Sequence, residues 1–446
     1  MTADGRFVAD TTDLPIDVLL PALTAHDPAA SGEGSRDPLG LEAAAERLAA
    51  LYLPAVTSRM TRIRALTVLA LSALVCHPML DEYTADESAP SWLVFEWMWA
   101  EATAGGRSDT RGIPGIDTTR RRLHNGERLS SRNYLKGATA LGLHGFYRTL
   151  AEHTLVLDRN GFLDENGERL LGAWASDQGL QGLLEDTGEG RRLLRFLREG
   201  VRRSMDVSAC AAAPTGEAIW RLRQHAAPEF NDVCLRERSE LRALLDADER
   251  RRGTLAILTQ PSVSMHGGDV AAHTQAAAAE ADRRHDDPFA EIGAALRALI
   301  AFEHFSAAVT STFDLMRHRS TKLLRQPVEI TELADERHAA ILGSLPRLLG
   351  ICDATFAAVG PDPSRAGALD AFRGLDAVPD LLGVTIARHD SVQGSKGSRG
   401  KLPWFEPGSK LAVRGPYALV DPPATGDRFL HPTRLPNAAS FLEELG

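Results

Sequence analysis

Apolar residues recur at intervals of three and four along most of the chain, the spacing of helices that bury one face. In "DPLGLEAAAERLAALYL" Leu41, Ala44, Leu48, Leu51 and Tyr52 share a side, and Pro54 ends the run. "TSRMTRIRALTVLALSALVCHP" predicts a second helix capped by Thr57 or Ser58, with Arg59, Arg62 and Arg64 in its first two turns. Cations sit badly at that end of the helix dipole, so anions are expected beside them, either neighbouring carboxylates or a ligand. "SWLVFEWMWAEA" gathers Trp92, Phe95, Trp97 and Trp99 into one short helix that reads as core or subunit interface. Further on, Leu193, Leu194, Leu197 and Val201 oppose Arg191, Arg195, Arg198 and Arg202 in "EGRRLLRFLREGVRRSM", a basic amphipathic helix. "PFAEIGAALRALIAFEHFSAAVTSTFDLMRHRSTKLL" predicts a long apolar helix central to the core.

Two regions depart from this pattern. After the helix-like run ending "YRTLAEHTL", the signals "DRNG" and "DENG" read as a hairpin. Helices followed by a hairpin suggest a winged helix-turn-helix whose second helix would carry Arg132, Lys136 and Arg148 to a duplex. Beyond Pro361, "GVTIARH", "KLAVRG" and "YALVD" look like short strands among Gly and Pro. The predicted fold class is therefore mainly α: a multi-helical body with a winged-helix-like segment and a small β-containing C-terminal module. Its expected parts are a flexible lead-in at 1–36, a helical domain at 37–110, the winged-helix-like segment at 111–176, a second helical domain at 177–379 and the C-terminal module at 380–446. More than one unit is also what 446 residues imply.

Charge narrows the function. A formal net charge of -10 argues against general coating of nucleic acid. Local basic stretches stand out against it. Residues 107–136 hold eight Lys/Arg against three acids, 191–203 six Arg against one Glu, and 388–414 six Lys/Arg against two acids. Arg120, Arg121, Arg122, Arg132, Lys136, Arg195, Arg202, Lys396, Arg399 and Lys401 are the candidate contacts to a DNA phosphate backbone.

Catalytic motifs are sparse. "QGSKGSRGKLPWFEPG" superficially resembles a P-loop, but Leu402 stands where a magnesium-binding hydroxyl belongs and Pro403 and Pro407 forbid the helix behind it. No G-x-S-x-G elbow occurs, and Cys76, Cys210, Cys234 and Cys352 lie far apart with no CxxC pair. Glu303, Asp314 and His318 on the long apolar helix are the metal-ligand alternative, with His285, Asp286 and Asp287 nearby in sequence. The balance favours a protein without catalytic activity, cofactor or resident metal. No apolar h-region opens the chain, and the run Ala65 to Cys76 has about half of the roughly 20 residues a bilayer span needs. A cytoplasmic protein that crosses no membrane is expected.

"LYLPAVTSRMTRIRALTVLALSAL" and "GIPGIDTTRRRLHNGERLSSRNYLKGATALGLHGFYRTLAEHTLVLD" together resemble uncharacterised bacterial proteins of antiphage defence islands, some linked to DNA phosphorothioation cassettes. In that family a Pro-Gly turn, a Thr and an Arg-x-Arg pair open an apolar helix; Pro54, Thr57, Arg62 and Arg64 fit, and Ala55 replaces the glycine. The resemblance covers about the first 170 residues, with a weaker echo in "GKLPWFE" and "HPTRLPNAASFLEELG". It implies a defence complex with other subunits and with DNA nearby. The expected function is a non-catalytic DNA-contacting subunit, with a metal-dependent nuclease and a scaffold without DNA binding as alternatives.

Overall fold

The apolar periodicity becomes helix almost throughout. The computed structural model describes residues 37–105, 110, 112–211, 215–226, 233–263, 268–284, 286–396, 400–423 and 428–446; the lead-in at 1–36, Arg107, Arg111, His285 and Arg399 lie outside them. The described residues form α1 (Glu42–Tyr52), α2 (Ala65–Cys76), α3 (Ser91–Ala104), α4 (Ile116–His124), α5 (Ala138–Leu141), α6 (Leu143–His153), α7 (Glu165–Asp177), α8 (Gly188–Asp206) and α9 (Thr215–Ala226). They continue with α10 (Leu235–Asp246), α11 (Glu249–Leu258), α12 (Val270–Arg284), α13 (Phe289–Lys322), α14 (Glu336–Ala358), α15 (Pro363–Leu369), α16 (Val378–Gly394) and α17 (Leu435–Leu445). Only isolated β-bridges occur among them, with no strand. The chain is thus mainly α.

Two compact units form. The first joins residues up to Leu48 with Arg297–Pro432, and the second joins Ala49–Leu296 with Thr433–Gly446. In the first unit α13 buries Phe302, Phe305, Val309, Phe313 and Met316 at successive turns. His389 on α16 is held between rings: its centroid lies 4.6 Å from Phe313 and 5.5 Å from Trp404. Its Nδ1 meets the Pro38 carbonyl at 2.8 Å, and its Nε2 accepts the Trp404 amide at 2.9 Å, so the neutral ring satisfies both partners.

That neutral state has a cost in acid. Burial holds the His389 pKa down at about 4, and the charges of Lys396 and Arg317 act in the same direction. An unfolded imidazole protonates near 6.5, so lowering the pH from about 6.5 to about 4 favours the unfolded chain. The stability gap between wild type and His389→Leu is expected to be largest above about pH 6.5 and to shrink as pH falls to about 4. Urea melts across this range check it; a constant gap would contradict it.

In the second unit α3 is buried nearly all round, with Phe95, Trp97 and Trp99 inside. The helices α2, α4, α8 and α9 surround it. A helix apolar on every side is stable only where neighbours cover it. The segment before α2 is not helical, so Arg59 and Arg62 lie in an irregular stretch and Arg64 takes the N-cap position. Tyr147 Oη accepts the Thr61 and Arg62 amides, each at 2.9 Å, and Asn437 Nδ2 donates to the Ser58 and Met60 carbonyls. Ala55 stands at φ 63 in this turn, the left-handed conformation that glycine adopts without steric cost. At Arg64 the expected anions belong to the chain itself, whereas Arg59 lies over the Phe146 ring. Glu444 of α17 accepts the Arg64 amide, and Glu237 of α10 pairs with the Arg64 guanidinium at 3.0 Å.

Neither expected β region forms strands. Around "DRNG" a single bridge joins Leu157 to Leu163, but "DENG" is a helix start: the Asp164 carboxylate accepts the Glu165 amide and α7 follows. Glu165 and Glu168 in that first turn suit the positive end of the helix dipole. Arg132 and Lys136 accordingly lie on a loop rather than a recognition helix, and Arg148 on α6 pairs with Glu152. At the other end "GVTIARH" lies inside α16. Pro379 near its start and buried Leu381, Leu382, Thr385, Ile386 and His389 at helical spacing outweigh the β-branched residues. "KLAVRG" contributes two bridges, Leu411 to Val328 and Val413 to Phe405, and Tyr417 closes a 3-10 turn.

By length and apolarity α13 and α14 could each cross a membrane. The apolar window of α13 is 78% buried inside the protein, as a core helix's is, whereas that of α14 is 22% buried.

Candidate nucleic-acid interface

The basic residues of the second unit sit on α4, the loop after it, and α8. A turn at "GIPG" launches α4. Gly115 there has φ 70, and a Cβ on it would come within 2.7 Å of the Tyr134 ring. Ile116 and Thr119 face inward, so Arg120 and Arg121 face solvent. Asp117 in the first turn and Arg121 in the last both match the helix dipole. Arg122 pairs with Glu127 at 3.1 Å.

Side-chain bonds shape the loop. Asn133 Oδ1 accepts the Ser130 amide at 2.8 Å while its Nδ2 donates to the Arg128 carbonyl. Arg128 pairs with buried Glu101 at 2.6 Å, and the other Glu101 oxygen accepts the Leu129 amide. Tyr134 donates to Glu96 at 2.9 Å. Burial pushes the Glu96 carboxyl up to about 7, opposed by the Leu143 and His144 amides and the Tyr134 hydroxyl, which favour the charged form. Tied down at both ends, the loop displays Arg132 and Lys136 to solvent.

An antiparallel bridge between Ser130 and Ala209 joins this loop to the chain leaving α8. On α8 the apolar side is buried as expected. Three of its arginines are engaged: Arg192 with Glu189, Arg203 with Glu199, and Arg198 with the Leu74 carbonyl. Arg191, Arg195 and Arg202 are exposed and have no ion pair among the described residues. The same holds for Arg120, Arg121, Arg132 and Lys136. Among the described residues seven outward cations therefore remain after local pairing.

The third basic stretch is placed in the first unit and is largely committed to protein contacts. Lys396 is 8% exposed and its ammonium donates to the Asp37 carbonyl at 2.8 Å. Arg388 donates to the Leu39 and Gly367 carbonyls, Arg414 to that of Pro403, and Lys401 is half-buried.

The alternative metal ligands are not brought together. Glu303 accepts the Leu430 and His431 amides and pairs with His431, whose pKa the carboxylate raises against the effect of burial. Asp314 pairs with Arg317, and His318 Nδ1 faces the Leu419 carbonyl. Eleven residues of helix also separate Glu303 from Asp314 by about 16 Å. Among the described residues no group of three or more His, Cys, Asp or Glu side chains could hold a metal ion. The buried thiols are poor nucleophiles: burial pushes Cys76 and Cys352 up to about 12.

No protein-family profile matches the chain, and no curated protein or solved structure matches it.

Proposed function

We propose that the protein is a non-catalytic, DNA-contacting subunit of a bacterial antiphage defence complex in the cytoplasm, and that its second unit grips the phosphate backbone. One observation carries this. Arg120, Arg121, Arg132, Lys136, Arg191, Arg195 and Arg202 are exposed, with no ion pair among the described residues, on connected elements of a chain whose net charge is -10. Local positive potential of that kind attracts a polyanion while the remaining surface repels it, which favours a defined contact over general coating. The defence context rests on the resemblance in the first 170 or so residues. Membership of a complex is supported by α14, whose apolar window is mostly uncovered and whose Ile351 is 41% exposed.

A mobility-shift titration with plain and phosphorothioate-modified duplex, with and without manganese, tests the proposal. A retarded band with intact DNA is expected, and a preference for modified duplex would tie the protein to a phosphorothioation cassette. Manganese-dependent cleavage would favour the nuclease. No shift at low salt would leave the scaffold function in its place.

A further inference from the structure

Trp220 is the outlier among the tryptophans. Trp97, Trp99, Trp174 and Trp404 are buried and Trp92 is half-buried, whereas Trp220 on α9 is 49% exposed. Ala218, Leu222 and Ala226 fix the buried side of α9, and Trp220 falls two residues from Ala218 and Leu222, on the opposite side. It is not isolated there. The Arg221 guanidinium lies 4.8 Å from the Trp220 ring centroid and 5.4 Å from that of Phe196 on α8. Glu217 holds Arg221 through its Nε at 3.0 Å, and the Arg195 guanidinium lies 5.4 Å from the same Phe196 centroid. Rings and guanidinium groups thus alternate from Arg195 to Trp220, which orients the indole while much of it stays in water.

We infer that Trp220 is a stacking platform for an unpaired base, and that α8 and α9 take a single strand of nucleic acid. This rests on the phosphate-contacting function proposed above and adds the strand class. A duplex hides its base faces and offers phosphates, for which cations alone suffice. A single strand offers both a π-face and a phosphate, and an exposed indole linked through Arg221 and Phe196 to Arg195, on a helix that also exposes Arg191 and Arg202, complements both. An acidic peptide would satisfy the arginines and leave the ring unused.

The full-length protein is titrated with a labelled oligothymidylate and with a duplex of the same length, following anisotropy and intrinsic tryptophan emission. The strand is expected to bind about tenfold tighter than the duplex and to quench emission. Trp220→Ala should weaken strand binding about tenfold and leave duplex binding unchanged, with Trp220→Phe recovering part of the loss. The quench in the wild-type protein reads stacking without any variant. Unchanged strand affinity in a folded Trp220→Ala variant, or no quench at saturation, overturns the platform while duplex binding leaves the proposed function standing. Binding of neither nucleic acid overturns both. Equal affinity and quench with polyglutamate overturns the strand assignment in favour of a protein partner.

Discussion

Replacing Arg120, Arg121, Arg132 and Lys136 together by glutamate is expected to weaken nucleic-acid binding by at least about 100-fold at moderate salt. Each phosphate contact contributes about 0.9 to the slope of log affinity against log salt, so losing four cations should flatten that slope by up to about 4. The fold should survive. All four side chains are exposed and none has an ion pair among the described residues, so each substitution should change stability by no more than about 0.5 kcal/mol. Arg121 is the exception, because a carboxylate in the last turn of α4 opposes the helix dipole at a cost of about 0.3–1 kcal/mol. Binding isotherms beside thermal melts separate the two effects. Unchanged affinity in a folded quadruple variant would remove α4 and its loop from the interface.

Arg64→Met is expected to destabilise the second unit by about 3–5 kcal/mol. Glu237 is fully buried and its Oε1 accepts from Arg64 Nε at 3.0 Å and from Thr67 Oγ1 at 2.7 Å. Arg64 also donates to the His225 carbonyl at 3.2 Å. Removing the guanidinium leaves a carboxylate out of water with one hydroxyl donor, which costs far more than an exposed pair is worth. The double variant Arg64→Met with Glu237→Leu should recover most of the loss, since both charges then leave the interior together. Denaturant melts of the two singles and the double measure the coupling. A loss under about 1 kcal/mol in Arg64→Met, or a double variant as unstable as the singles, would contradict this assignment.

The helices α1, α3, α8 and α13 were legible because their apolar positions repeat over several turns. The wing was not, because "DENG" carries the same residues whether it is a turn or an N-cap with acids behind it. Nor was the helical state of "GVTIARH", where β-branched residues mask the buried spacing that continues from Leu381 to His389. The clustering of cations could be read from composition, but not their pairing. Arg122 meets Glu127 five residues on, whereas Arg128 meets Glu101 and Arg198 meets the Leu74 carbonyl only through tertiary packing. Lys396 finds its acceptor 359 residues away, which no local pattern records. The exposure of Trp220 has a local signal in the sequence: it lies out of register with Ala218, Leu222 and Ala226, on the polar side of its helix.

The affinity of the wild-type protein for nucleic acid across a series of salt concentrations tests the central claim most directly. A linear fall of log affinity with log salt is expected, with a slope of about -6 if the seven cations of α4, its loop and α8 all meet phosphates. Binding whose strength ignores salt, or no binding at the lowest salt, would contradict it.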